Sequence, residues 1–179
     1  MDLKEKTDNL RELLRETEVK DALDFLSEFK TDEEKKEASR VLGEVGAALC
    51  YATPFKSLAE VLLWKAVTLD DKNARHFFNL GVLYTSPEKV REDEKNTKLS
   101  IRCYKKAVKL NPEYPEAYYN LSLVYFFCGR PKEAYENFKR AKELAPEDPR
   151  ILRFQEYLKG PPIIDVEDND KPRNTRNKR

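Results

Sequence analysis

The sequence predicts an all-α chain of antiparallel helix pairs packed side by side. Three observations carry that expectation. The first is self-similarity: residues 77–84 read FFNLGVLY, and residues 118–125, 41 positions on, read YYNLSLVY. The second is that each is followed by a matching block. Ser100, Tyr104, Ala107, Leu110 and Pro112 recur 34 positions later as Ala134, Phe138, Ala141, Leu144 and Pro146. Both blocks keep the 3.6-residue period of an amphipathic helix. The third is composition. Only 5 of 179 residues are Gly, too few for a many-turned β fold or a Gly-rich phosphate loop. Hydrophobic residues make up 40%, enough for a core, and charged residues 37%, above the roughly 25% of an average domain.

The elements follow in order. Leu10, Leu13 and Leu14 predict a first helix, and Val19, Ala22, Leu23, Leu26 and Phe29 a second. Together residues 1–38 read as a helical hairpin that could be an eroded copy of the repeat. Thr31 with Glu34 is a capping box that starts the next helix. Residues 39–73 are a degenerate copy, with Leu42, Val45, Gly46 and Leu49, then Ala59, Leu63, Ala66 and Leu69. Its second helix, residues 57–69, is apolar nearly all round (Leu58, Val61, Leu62, Leu63, Trp64, Val67), so it should be covered on both sides. Residues 74–114 form the next copy, with seven extra residues between its helices. Ser86-Pro87 there is a helix start, and the run 88–98 pairs opposite charges at i,i+4 (Lys89–Asp93, Glu94–Lys98). This predicts a second helix that begins early and projects past its neighbours. In residues 115–148, Tyr118, Leu121, Ser122 and Tyr125 face Ala134, Phe138 and Ala141 across a turn holding Gly129. Asp148-Pro149 then caps a last helix through about Lys159.

Residues 115–148 resemble a tetratricopeptide repeat. They are 34 residues long and carry that family's aromatic, Leu, small residue, Tyr, two Ala, Phe and closing Pro at its spacings. Residues 74–114 match it through Phe77, Leu80, Gly81, Tyr84, Tyr104, Ala107 and Pro112, departing at the insertion and at Ser100, where the family has Ala. The resemblance covers roughly residues 39–159, with residues 149–159 standing for the family's capping helix. It implies a right-handed α-solenoid whose first helices line a concave groove. It implies a role in protein–protein recognition as adaptor or scaffold.

Enzyme chemistry finds no footing in these residues. His76 is the only histidine, and it reads as a surface or helix-end residue. Cys50, Cys103 and Cys128 are odd in number and widely spaced, which suits small buried hydrophobes better than a disulfide framework or metal site. No catalytic residue, metal or cofactor is expected. The charges (34 Lys plus Arg, 33 Asp plus Glu, net +1) argue against a chain built to coat nucleic acid. The opening MDLKEKTDNL is charged and lacks the apolar run of a signal peptide, and the most apolar stretch is too short to span a membrane. The expected location is cytoplasmic.

The expected site is the concave groove. Opposite the packing stripes, the first helices carry Phe78 and Val82 in one copy and Tyr119, Leu123 and Phe126 in the next. Residues facing only water would be polar there. An apolar patch of that kind marks an interface, unless another part of the chain covers it. Arg75, Asn79, Glu116 and Asn120 would orient the ligand. Family members that clamp acidic C-terminal peptides place cations on these helices. Phe78, Val82 and Glu116 stand at those positions here, although Asn79 and Asn120 match, so an apolar helix or extended peptide is the expected partner.

Residues 160–179 form an extended or disordered tail, acidic and then basic. Its Pro161-Pro162-Ile163-Ile164 start suggests that it lies in an apolar groove, its own or a neighbour's. The basic end (Lys171, Arg173, Arg176, Lys178, Arg179) supports only weakly one alternative to a protein-binding groove, a nucleic-acid accessory role; a self-assembling scaffold is a further alternative.

Overall fold

The computed structural model describes residues 1–85 and 93–159. These form nine α-helices and two short 3-10 turns: α1 Leu3–Arg15, α2 Val19–Phe25, α3 Asp32–Leu49, α4 Lys56–Leu69, α5 Ala74–Tyr84, α6 Glu94–Leu110, α7 Pro115–Phe127, α8 Pro131–Leu144 and α9 Pro149–Lys159. Helices α3 and α4, α5 and α6, and α7 and α8 pack as antiparallel pairs. The pairs stack through α4 on α5 and α6 on α7.

Local chemistry sets the ends. Thr31 accepts from the Glu34 amide at 3.2 Å while the Glu34 carboxylate accepts from the Thr31 amide, so the capping box is present. It starts α3 at Asp32, seven residues ahead of the point where the repeat pattern becomes legible. Asp2 with Glu5 forms a second capping box, on α1. Asp148 caps α9 by accepting from the Arg150 amide at 2.8 Å. Gly129 closes α7 at φ +70, a conformation open to glycine and strained for other residues. Much of the charged run 88–98 falls on residues 86–92, outside the described residues. From Glu94 the chain is helical, with Glu94 and Lys98 paired at 2.6 Å.

Packing is continuous along the stack. Leu10, Leu14, Ala22, Leu26 and Phe29 of the N-terminal hairpin close over Val41, Leu42, Leu62 and Ala66. Ala59 and Leu63 turn the other side of α4 towards Leu80 and Cys103. Helix α4 is therefore covered on two sides, and a third faces water. Val61 and Trp64 face outward, Trp64 donating its indole N–H to the Tyr84 hydroxyl at 2.8 Å. Small residues set the closest approach between helices. A Cβ on Gly81 would lie 2.5 Å from the Tyr104 ring, so α5 and α6 meet at van der Waals contact only because that side chain is missing.

His76 corrects the surface reading given above. It is 2% exposed, and its Nε2 lies 2.7 Å from the Ser39 hydroxyl. Ser39 donates its single proton to the Ala66 carbonyl at 2.8 Å, so Nε2–H donates to Ser39 and Nδ1 stays unprotonated and unpaired among the described residues. Burial pushes the His76 pKa below its ordinary value, against the attraction of Asp70 and with the repulsion of Arg75. The unfolded chain therefore binds this proton more readily. Stability is fully present above the ordinary imidazole value of about 6.5 and falls as pH drops towards the folded-state value. The urea midpoint should decline as pH falls below about 6.5, and His76→Gln should flatten that decline. An identical slope in the variant contradicts this assignment. The carboxylates act in a lower window. Lys6 and the Thr31 and Lys30 amides hold Glu34 down to about 2, so its contribution fades only as pH falls below the usual carboxylate range.

Candidate functional site: the concave groove

The first helices of the three pairs, α3, α5 and α7, line one face of the stack, and two adjoining clefts open there. The larger, about 730 Å³, is bordered by Arg40 and Glu44 of α3, Arg75, Phe78 and Asn79 of α5, and Glu116 of α7. Its walls are of mixed charge. Arg40 pairs with Glu37 and Glu44 along its own helix, and Arg150 pairs with Asp148 at 2.6 Å. The smaller, about 420 Å³, is more apolar: Val82, Leu123, Val124 and Phe127 line it, with Tyr104 and Asn120. Tyr51 borders both clefts and is 82% exposed, so it divides the groove in two.

The smaller cleft is held from below by Tyr104. This ring is 1% exposed, and its hydroxyl lies 3.2 Å from Thr85 Oγ1 and accepts from Asn120 Nδ2 at 3.3 Å. Burial pushes its phenol pKa well above the ordinary range, so it remains a neutral hydrogen-bonding group. Cys50 shares the cleft wall. Burial raises its thiol pKa, which keeps it protonated and donating to the Gly46 carbonyl at 3.3 Å.

Seven of the nine residues expected at the site border these clefts. Arg75, Phe78, Asn79 and Glu116 lie at the larger one, and Val82, Asn120 and Leu123 at the smaller. Phe78 is half-buried against Tyr104 and Tyr114, with ring centroids 5.9 and 5.0 Å away. Tyr119 and Phe126 border neither cleft. Both rings meet Phe154 of α9 edge-on, at 6.0 and 5.6 Å, so the chain itself covers them in part. Tyr51 was missing from the expected set, yet a signal for it exists. It stands five positions past Gly46, as Phe127 stands five past Ser122, so both rings hold one register of the repeat.

Two family descriptions match this chain: "TPR repeat" over residues 93–129 and "Tetratricopeptide repeat" over residues 115–148. Residues 93–148 carry tetratricopeptide repeats. The Arabidopsis OM64 TPR domain superposes on this tetratricopeptide-repeat fold with a TM-score of 0.59 at 22% identity, over 69% of this chain and 95% of that one. YrrB, described as a TPR protein with an unusual peptide-binding site, gives 0.52 at 17% identity, over 84% and 90%. The human RANBP2-like and GRIP domain-containing protein 1 is 28% identical over 136 residues, which cover 73% of this chain and 7% of that protein. The chain thus corresponds to a small part of that relative. The tetratricopeptide-repeat fold supports a protein–protein interaction or scaffold role. Among the described residues no three His, Cys, Asp or Glu converge as a metal site, and no helix is long and apolar enough to cross a membrane.

Proposed function

We propose that the concave groove binds an extended segment of a partner protein, seating one apolar side chain in the smaller cleft. The observation that carries this reading is the pair of solvent-facing rings on one cleft wall: Tyr51, and Phe127 at 38% exposure. Exposed aromatics on a concave surface are typical anchors of binding energy. Val82 and Leu123 complete the apolar seat, with Phe78 beside Asn79 in the adjoining cleft. Arg75, Asn79, Glu116 and Asn120 orient the ligand backbone. Tyr119 and Phe126 buttress the groove from behind. Division at Tyr51 favours an extended chain, whose side chains alternate, over a helix about 10–12 Å across.

Selection of peptides from a displayed random library against the full chain tests this. Selected peptides should share an apolar residue flanked by polar ones. Tyr51→Ala and Phe127→Ala should each weaken their binding about tenfold, roughly 1.4 kcal/mol. Val61→Ala, on the outward face of α4, should leave it unchanged. Equal binding by wild type and the Tyr51→Ala/Phe127→Ala double variant contradicts the proposal.

A further inference from the structure

Helix α6 carries charge of one sign. Of its 17 residues six are basic (Lys95, Lys98, Arg102, Lys105, Lys106, Lys109) and one, Glu94, is acidic. Its exposed positions from residue 95 onward are all cations: Lys95, Lys98, Arg102, Lys105 and Lys109. They step by 3, 4, 3 and 4 residues, so they form one stripe about 21 Å long that drifts only about 20° per heptad. Like charges at these spacings repel one another along the helix. Glu94 pairs with Lys98 at 2.6 Å, and the Lys105 ammonium lies 5.9 Å over the Tyr125 ring. Lys95, Arg102 and Lys109 have no ion pair or hydrogen bond among the described residues. A face that meets only water mixes its signs, as α8 does by exposing Lys132, Glu136, Lys139 and Glu143.

We propose that this stripe docks an acidic helix of a partner protein, one that repeats Glu or Asp at the same spacing. Register favours a helix. Laid along α6, it offers carboxylates in steps of about 4.5 and 6.0 Å, the steps of the cations themselves. In an extended chain, side chains on one face recur every 6.6 Å or so, and four such steps overrun the stripe by about 5 Å. Width argues against broader polyanions. Helices α4 and α8, the second helices of the adjoining pairs, expose Glu60, Glu136 and Glu143. A nucleic-acid duplex or an anionic membrane lying across all three helices would meet those acids as well as the stripe. The exposed residues of α6 include no ring on which the bases of a single strand could stack. None of the five cations borders the concave clefts, so docking here does not depend on a peptide entering the groove.

The test uses the full chain and two fluorescent, alanine-based peptides, both stapled so that each is helical. One carries Glu at i, i+3, i+7, i+10 and i+14. The other has the same composition with its Glu spread around the helix. Anisotropy titration at about 50 mM salt should show the patterned peptide binding about tenfold more tightly, and the advantage should shrink as salt rises to about 200 mM. Arg102→Glu/Lys109→Glu should abolish that advantage. Lys139→Glu on α8 and Tyr51→Ala in the groove should preserve it. Equal binding of the two peptides by the unaltered chain, or binding of neither, overturns the proposal without any variant. An advantage that survives the double charge reversal overturns it too. Tighter binding of oligouridylate or of phosphatidylserine vesicles than of the patterned peptide would overturn it by assigning the stripe to a nucleic acid or a membrane.

Discussion

Tyr104→Ala should lower the unfolding free energy by about 3–5 kcal/mol, the usual cost of emptying a buried aromatic site. The ring sits where the middle pair meets the last one. It packs against Gly81, lies 5.9 Å from the Phe78 ring, and belongs to the cluster that holds Leu121, Val124 and Tyr125. Stacked repeats are stabilised through nearest-neighbour interfaces. Loss at a central interface therefore divides the stack, and denaturant titration should show a lower midpoint or two separated transitions. Tyr104→Phe keeps the ring and loses only the hydroxyl contacts with Thr85 and Asn120, so its cost should be about 1 kcal/mol. Equal effects of the two substitutions would mean that the hydroxyl, and not the ring, holds this interface.

Phe154→Ala should remove a similar contact energy, about 3–5 kcal/mol, with a different outcome. Phe154 is 7% exposed and meets Tyr119, Phe126, Phe138 and Tyr157 with ring centroids 5.6–6.4 Å away. It is the principal anchor of a terminal helix, so its loss frees that helix without dividing the rest. Amide exchange should accelerate throughout α9 while α3 to α6 keep their protection. A dye that reports apolar surface should bind more strongly as Tyr119, Leu123 and Phe126 lose their cover. Uniform loss of protection along the chain would contradict a terminal, separable α9.

The helices were readable because their signals are local. Thr31 with Glu34 and Asp148-Pro149 mark helix starts through bonds made within one turn, and the 3.6-residue stripes mark the faces that meet. What could not be read depends on neighbours distant in sequence. His76 looks like a helix-end residue because nothing near it in sequence shows that Ser39, 37 positions earlier, is its partner. Tyr119 and Phe126 look like free groove residues because α9 packs over them only in three dimensions. Val61 and Trp64 look internal from composition, yet the stack gives α4 two covered sides and leaves a third to water. Tyr51 follows the end of α3, beyond the helical stripe, and only comparison with Phe127 in the same register points to it.

The central claim is that the concave groove, divided at Tyr51, takes an extended partner segment. Titrating isotopically labelled full chain with the tightest selected peptide, and following chemical shifts residue by residue, tests it most directly. The largest changes should fall on Tyr51, Thr85, Asn120, Leu123 and Phe127. Changes centred on Val61, Trp64 or Tyr135, with those five unmoved, would contradict it.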